Sequence, residues 1–226
     1  MAPLGEQETV KPKLTLEALK AEAGAFATLE SAHREPALFG VTDGKAVGTY
    51  FEHKFREHLR VRFDFEEGSS AKGIDFPELG VDMKVTSIKQ PQSSCSYKSA
   101  RQKIFGLGYS VLVFVYDKTD DPASSTGHLD IQHVIFVEKE RTADFQTTTG
   151  IRKILENQGN KDDLLAFMQE RMLPVDEIEA GNIADELLKA PPEIGYLTIS
   201  NALQWRLQYR RVIDTAGTVP GVVRLK

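Results

Sequence analysis

The sequence has little cysteine and no long apolar segment. Its 226 residues include one cysteine, Cys95, so the chain cannot form an internal disulfide bond and nothing indicates secretion. No segment reaches the roughly 20 consecutive apolar residues that a membrane-spanning helix needs. The first residues also lack the basic start and the apolar stretch of a signal peptide. We therefore expect a cytoplasmic protein with no membrane partner.

Two further patterns are missing. The chain has no glycine-rich phosphate-binding loop, so we expect no nucleotide cofactor. Its five histidines lack the companions of a zinc site, and the spacing of His53 and His58 is poor for binding one metal ion from a helix. These absences argue against an ATP-dependent enzyme and against a zinc protein.

Acidic residues are absent from one long segment of an otherwise acidic chain. The net charge is -5, yet residues 83–116 contain neither Asp nor Glu. The basic side chains of this segment are Lys84, Lys89, Lys98, Arg101 and Lys103. The chain is also basic from residue 204 to its end. An acidic protein can bind phosphate along one basic face, although chance clustering on solvated faces explains this charge pattern equally well.

The spacing of apolar residues predicts helices and strands in the first part of the chain. Helices are predicted at 14–29, 46–59 and 97–105, and Thr42-Asp43-Gly44 supplies turn and cap chemistry before the second. Strands are predicted at 61–65, 73–76, 81–88, 110–116 and 133–138, with a polar loop at 90–96. The segment 110–116 is nearly all apolar, which is typical of a strand buried on both faces. Residues 46–117 therefore follow the order helix, three strands, helix, strand.

The remainder of the chain, residues 144–226, is predicted to be mainly helical. Its helices are expected at 144–157, 161–172, 176–189 and 200–213, with a short strand at 221–225. Because the last helix is basic and a strand follows it, this part of the chain resembles a winged helix that reads DNA.

Three charged side chains are predicted to meet around one turn. Asp82 and Lys84 are two positions apart on a predicted strand, so both lie on the same face. The turn at 77–80 folds the chain back and can bring Asp75 alongside Asp82. Two carboxylates beside one ammonium group are costly to hold unless a metal ion compensates them, and oxygen ligands suit Mg²⁺. Alternatively, an Asp-x-Lys pair is a simple ion pair on an exposed edge strand.

The pattern of Asp75 followed by Asp82-Met83-Lys84 resembles the PD-(D/E)xK nuclease motif, and the chain looks most like a type II restriction endonuclease of that superfamily. Ile74 stands where the motif has proline, a variation that the superfamily tolerates. The order of elements predicted over residues 46–117 agrees with the α-β-β-β-α-β core of the superfamily.

The resemblance implies an α/β (α+β) fold with a central mixed sheet flanked by helices. It implies a nuclease core over residues 1–143, which contains the catalytic motif at 46–117. The mainly helical region 144–226 then reads DNA, forms a dimer interface, or belongs to the same domain.

The resemblance also assigns roles to the motif residues. Asp75 and Asp82 are the implied principal ligands of Mg²⁺, for which Mn²⁺ can substitute, and the backbone carbonyl of Met83 is a further ligand. Lys84 is implied to orient or deprotonate the attacking water and to contact the phosphate that is cleaved.

A glutamate on the helix before the sheet is a fourth candidate. Many members of the superfamily carry a metal-binding glutamate on this helix, and Glu52 has a similar position here, so we assign it to the catalytic and metal sites. Its alternative is a solvated helix face paired with Lys54 or Arg56. Glu57 is a weaker rival for the same role.

Polar residues after the motif are candidates for DNA binding. Gln suits adenine edges, and Lys or Arg suits guanine edges and phosphates. The first set consists of Lys89, Gln90, Gln92, Ser93, Ser94, Tyr97, Lys98, Arg101 and Gln102. The second set consists of Gln204, Arg206, Gln208, Arg210 and Arg211. The alternatives are a polar loop with an exposed helix face for the first set and an ordinary packed helix for the second.

These inferences lead to one main hypothesis. We expect a Mg²⁺-dependent type II restriction endonuclease of a restriction-modification system, which cleaves double-stranded DNA at a short specific sequence as a homodimer. The alternatives are a structure-specific repair or junction nuclease of the same superfamily and a non-catalytic DNA-binding protein.

Overall fold

The structure, a computed structural model, describes residues 11–68, 73–95, 99–200 and 206–226. Its helices are α1 (Leu16–Ala32), α2 (Gly44–Arg62), α3 (Ala100–Phe105), α4 (Phe145–Glu156), α5 (Lys161–Glu170), α6 (Glu177–Lys189) and α7 (Arg210–Thr215). Its strands are β1 (Val81–Ser87), β2 (Gln92–Ser94), β3 (Ser110–Asp121), β4 (Thr126–Val137), β5 (Thr198–Ser200), β6 (Arg206–Gln208) and β7 (Val222–Arg224). No helix in these ranges is long and apolar enough to cross a membrane.

The strands form two sheets. The main sheet has the order β1-β3-β4-β7, with β1 parallel to β3 and the other neighbours antiparallel. The small sheet has the order β2-β6-β5 and is antiparallel throughout. The predicted central mixed sheet flanked by helices is therefore confirmed.

The core lies on both faces of the main sheet. On one face, α1 and α2 pack their apolar sides against β1, β3 and β4, with Phe51 and Phe55 against Phe114. On the other face, Val111 and Val113 of β3 pack against the small sheet and α7, including Leu207 of β6. Because β3 is covered on both sides, the prediction of a doubly buried strand at 110–116 is confirmed.

Helix α2 begins at the predicted cap and extends beyond its predicted end. The Asp43 carboxylate accepts hydrogen bonds from the N–H groups of Lys45 and Ala46, which confirms its capping role. The helix then continues to Arg62, so the strand predicted at 61–65 is wrong. The β-branched Val61 remains 75% exposed, and its strand preference therefore finds no sheet in which to pack.

The strand predicted at 73–76 is also wrong. In this segment only Phe76 pairs with another strand residue, through an isolated bridge to Val81. The ladder does not continue, because the N–H of Met83 bonds to the side chain of Asp75 and the carbonyl of Asp75 accepts from Gly68. The strand predicted at 81–88 is confirmed as β1, but the superfamily order of three successive strands is not reproduced, because the segments predicted as the first two strands do not form strands.

The end of the chain differs most from expectation. The helix predicted at 200–213 is wrong: β5 and β6 occupy part of it, α7 begins only at Arg210, and residues 201–205 lie outside the described ranges. Instead of a winged helix, the described residues form the small sheet. Its partner β2 lies in the segment predicted as a polar loop, and strand pairing across more than a hundred residues leaves no local signal.

The other C-terminal elements agree with the sequence. Helices α4, α5 and α6 and strand β7 confirm the predictions at 144–157, 161–172, 176–189 and 221–225. The division at residue 143 stays a prediction, and two strands beyond it pair with strands before it: β6 with β2, and β7 with β4.

One buried carboxylate connects α4 to the small sheet. Asp144 is 2% exposed and caps α4. Its Oδ2 accepts from the N–H of Thr147 at 2.8 Å and from the hydroxyl of the same residue at 2.7 Å. Its Oδ1 accepts from the N–H of Ile199 in β5 at 2.7 Å. Removal of this carboxylate would leave three donors without an acceptor in a place that water does not reach.

We expect Asp144→Ala to lower the free energy of unfolding by about 3 kcal/mol, because buried donors lose their acceptor. The matched control is Asp176→Ala, which removes the exposed cap of α6 and should cost about 1 kcal/mol. Urea denaturation of the two variants measures both values. Equal losses would contradict the role of Asp144 as a buried connection.

Candidate active site

A tight turn places Asp75 beside strand β1. The N–H of Phe76 donates to the carbonyl of Val81 at 2.9 Å, and the N–H of Val81 donates back to Phe76 at 3.2 Å. Between them lie a 3-10 turn, Pro77–Leu79, and Gly80, which has a φ of 62°. This left-handed conformation favours glycine, so Gly80 allows the reversal. The turn predicted from Pro-Glu-Leu-Gly therefore brings Asp75 back to the strand.

The three motif side chains are in contact. Asp75 Oδ2 accepts from the N–H of Met83 at 2.8 Å, and the carboxyl group of Asp75 lies within hydrogen-bonding reach of Asp82. Lys84 Nζ is 2.7 Å from Asp82 Oδ2. The sequence correctly placed Asp82 and Lys84 on one face and Asp75 beside them; the catalytic roles of the three stay predictions.

The backbone at Met83 faces the same site. Strand β1 is at the edge of the main sheet, and its N–H groups at Val81 and Met83 bond to the turn rather than to β3. Since the N–H and C=O of one strand residue point to the same side, the Met83 carbonyl is directed toward the edge where Asp75 lies. Its position agrees with the predicted backbone ligand.

Burial and like charge disturb the titration of this cluster. Asp82 is 4% exposed, and its burial, assisted by the nearby Asp75 carboxyl, raises the pKa of Asp82 to about 7 despite the neighbouring Lys84. Burial opposes the charge on Lys84, but the carboxylates of Asp82 and Asp75 raise the pKa of this ammonium group above its ordinary value. The site thus holds more negative charge than Lys84 can balance.

Helix α2 contributes two side chains to the cluster. Arg56 Nη2 donates to Asp75 Oδ1, and Glu52 lies one helical turn earlier. Burial raises the pKa of Glu52, and the Asp75 charge raises it further, whereas Arg56 and Lys84 lower it. Glu52 therefore lies within the electrostatic reach of the motif, whereas the rival Glu57 is exposed.

The contact of Arg56 with Asp75 is a feature that sequence reasoning missed. The sequence suggested Arg56 only as a possible surface partner of Glu52. Its spacing of four residues from Glu52 was the available signal, because a residue four positions on shares the same helix face. Arg56 and the Met83 N–H together occupy both oxygens of Asp75 and fix the orientation of that carboxylate.

The donor set suits a hydrated ion better than a fully protein-bound one. Within the described ranges, no three His, Cys, Asp or Glu side chains are close enough to form a metal-binding group. Asp75 and Asp82 offer two adjacent carboxylates, and Glu52 lies nearby. Mg²⁺ in nucleic-acid enzymes usually keeps several waters and takes one or two carboxylates together with substrate phosphate oxygens. The residues present fit that mode of binding.

The candidate DNA-binding residues fall in several places. Lys89 and Gln90 are in the exposed turn after β1, whereas Gln92, Ser93 and Ser94 form β2. Ser93 is directed inward, with its hydroxyl 2.6 Å from that of Tyr209. Tyr97, Lys98 and Gln204 lie outside the described ranges.

The remaining candidates are on helices and on β6. Arg101 forms ion pairs with Glu179 at 3.2 Å and Glu186 at 2.6 Å, so it connects α3 to α6, and its predicted DNA contact gains no support. Gln102 follows it on α3 and is partly buried. Arg206 is on β6, and Arg210 is exposed at the start of α7. Their roles stay predictions.

The chain matches a known family over almost its whole length. Residues 13–224 match the family model described as "Type II restriction enzyme NspV". The chain is 66% identical over 210 residues to the Type II restriction enzyme NspV of Nostoc sp. (strain ATCC 29411 / PCC 7524), covering 93% of this chain and 96% of that protein. No solved structure matches the chain significantly. On these matches, the chain belongs to the NspV family of type II restriction enzymes.

Proposed function

We propose that this type II restriction endonuclease hydrolyses phosphodiester bonds of double-stranded DNA at the cluster of Asp75, Asp82 and Lys84, with Mg²⁺ as its cofactor. The observation that carries the proposal is the contact of these three side chains at the open edge of β1 in a member of a type II restriction family. Family membership favours this function over a repair nuclease or a non-catalytic DNA-binding protein.

The cluster supports assignment to the PD-(D/E)xK superfamily. The acidic residue before the turn, the Asp-x-Lys strand and the preceding helix with Glu52 all have the expected relative positions. The segments 61–65 and 73–76 do not form the first two of the three successive strands expected of that core, but the turn at 77–80 still brings Asp75 beside β1.

The chemistry divides among the residues of the cluster. Mg²⁺ held by Asp75, Asp82 and the Met83 carbonyl, with Glu52 close by, would supply positive charge to the phosphate and acidify a water. Mn²⁺ would serve in its place. Lys84 donates to the phosphate oxygens and orients the attacking water, because its ammonium group is anchored by Asp82. Arg56 keeps Asp75 in a fixed orientation.

The proposal extends to assembly and location. Symmetric cutting of both strands of a palindromic site requires two catalytic sites related by a two-fold axis, which a homodimer provides. We place this homodimer in the cytoplasm, where its DNA substrate is found.

We expect Asp82→Asn and Lys84→Ala each to lower the rate of DNA cleavage by roughly 10³-fold or more, since each removes a group that acts on the phosphate or its water. Cleavage of unmethylated phage DNA into discrete fragments, with Mg²⁺ and with EDTA, measures this loss.

A second Lys–Asp pair provides the matched control. Lys118 and Asp120 are also two positions apart on a strand, β3, and form an ion pair away from the turn. Lys118→Ala and Asp120→Asn should therefore cleave like the unchanged protein. Full activity in Asp82→Asn would refute the proposed site, and fragments formed in EDTA would refute the need for Mg²⁺.

Glu52→Gln should cleave DNA about 10- to 100-fold more slowly at low Mg²⁺ concentration and recover in part at high concentration. The reason is that the substitution removes a negative charge close to the proposed Mg²⁺ site and so weakens Mg²⁺ binding. Glu57→Gln on the same helix is the control, since Glu57 is exposed. Cleavage rates across a Mg²⁺ titration measure the shift. Identical titrations for the two variants would remove Glu52 from the site.

The raised pKa of Asp82 predicts that Mg²⁺ binding depends on pH. At a pH below about 7 the carboxyl group of Asp82 is mostly protonated in the metal-free protein, so Mg²⁺ must displace a proton when it binds. The apparent affinity for Mg²⁺, measured by calorimetry without DNA, should fall as the pH is lowered through about 7. Asp82→Asn should show a weaker and flatter dependence.

The raised pKa of Asp82 also affects the free energy of unfolding, which should fall with rising pH whereas the Mg²⁺ affinity rises. Because the folded pKa lies above the ordinary value of 3.8, folding takes up a proton between that pH and about 7. The free energy of unfolding of the metal-free protein should therefore decrease as the pH rises through this window, relative to Asp82→Asn. Urea denaturation tests this, and parallel pH profiles for the two proteins would contradict it.

A further inference from the structure

We infer that the outer face of the small sheet is the surface that reads the DNA sequence. This outer face comprises Gln92, Ser94, Thr198, Ser200, Arg206 and Gln208. The inference rests on the proposed function and adds the recognition surface to it. It assigns base reading to strands of this sheet, since the major groove of DNA admits a two-stranded β-ribbon.

The register of the sheet places six polar side chains on that face. One row joins Gln92, Gln208 and Thr198, and the next joins Ser94, Arg206 and Ser200. Between the two rows, Ser93, Leu207 and Ile199 point the other way, because side chains alternate along a strand.

The burial of the middle row identifies the face of the small sheet that is turned toward the core. Leu207 and Ile199 are 1% and 2% exposed and belong to the core beneath the main sheet. Ser93 bonds to the buried Tyr209 on the same side. All six residues of the outer face are at least partly exposed. Ser93 is therefore removed from the set of base-reading residues, Gln208 of the second predicted set is retained, and Thr198 and Ser200 join it.

A cavity distinguishes this face from an ordinary solvated one. Its volume is about 210 Å³, and Thr198, Ser200 and Gln208 line it together with the basic Lys103 and Arg171. Lys103 is only 5% exposed, and the charge of the nearby Asp144 carboxylate favours its charged form. Asp144 also lines the cavity, and its oxygens accept three hydrogen bonds from α4 and β5. The concave polar surface thus combines amide, hydroxyl and cationic groups.

These groups are the ones that distinguish base pairs. Glutamine can bond in bidentate fashion to adenine, arginine to guanine, and hydroxyl groups to either. Gln92 and Gln208 are neighbours across the sheet and Arg206 is two positions from Gln208, so the face presents both kinds of reader side by side. Lys103 and Arg171 at the side of the face suit the backbone phosphates.

The reading face is joined directly to the catalytic strand. Thr86 follows Lys84 by two positions on the same side of β1. Its hydroxyl donates to the carbonyl of Gln92 at 3.0 Å and accepts from the N–H of the same residue at 3.0 Å. A base pair bound by β2 is therefore held at a fixed offset from the phosphate at Lys84.

The test compares Gln208→Ala and Arg206→Ala with Gln169→Ala, an exposed glutamine on α5 that serves as the matched control. The recognition site is first mapped by sequencing the ends of fragments cut by the unchanged enzyme. Values of kcat/KM are then measured for duplexes with the mapped site and for duplexes with every single-base-pair change. Thermal melting reports folding.

Each outer-face variant should lose about 10- to 100-fold in kcat/KM on the mapped site, while changing little on duplexes altered at one base pair. Selectivity at that base pair should shrink by the same factor, and Gln169→Ala should keep full selectivity. An equal loss on all duplexes, with selectivity unchanged, would overturn the inference.

Two further results distinguish failure of the proposed function from failure of the reading-face inference. If the unchanged enzyme cuts no DNA with Mg²⁺, the proposed function itself fails, independently of the reading face. If Gln208→Ala melts much earlier than the unchanged protein, Gln92→Ala on the neighbouring strand and Arg206→Lys decide the question by the same selectivity measurement. Unchanged selectivity in both of these would overturn the inference.

Discussion

The hydrogen bonds of the Asp75 carboxylate hold the candidate site together. One oxygen accepts from the Met83 N–H on β1, and the other accepts from Arg56 on α2. This single side chain therefore joins a helix, a tight turn and the edge of the main sheet. A carboxylate held by two fixed donors loses little further freedom when a ligand binds, so its orientation is set before substrate arrives. Lys84, anchored on Asp82, is fixed in a comparable way.

The same strand connects the candidate catalytic residues to the proposed reading face. Along one side of β1, Asp82 and Lys84 are followed by Thr86, whose hydroxyl bonds to both backbone groups of Gln92. The small sheet thus begins where the catalytic face ends, and Tyr209, fully buried behind it, packs against the same core as β3. A site-specific nuclease needs a constant distance between the bases that it reads and the bond that it cuts. A rigid strand with a buried threonine provides that constraint better than a loop would.

The sequence predicted local features of the fold and missed the non-local ones. The alternation along β1 sufficed to put Asp82 and Lys84 on one face, and the Pro-Glu-Leu-Gly turn sufficed to return Asp75 to them. The pairing of Gln92 with Gln208 joins residues more than a hundred positions apart, and two three-residue strands carry too little periodicity to be recognised. For the same reason, apolar residues that face the core from β6 and α7 were predicted to form one helix.

The balance of charge at the candidate site favours the binding of a further cation. Asp75 and Asp82 are adjacent carboxyl groups and Glu52 lies within the electrostatic reach of Asp75, while Lys84 and Arg56 bring two positive charges. Burial of Asp82, assisted by the nearby Asp75 carboxyl group, raises the pKa of Asp82, so the cluster holds a proton more readily than an exposed carboxylate would. A DNA phosphate adds a further negative charge at the same place. A divalent ion held by Asp75 and Asp82 would displace that proton and offset the negative charge of the approaching phosphate. Metal binding and substrate binding would then be coupled by electrostatics, and each would strengthen the other.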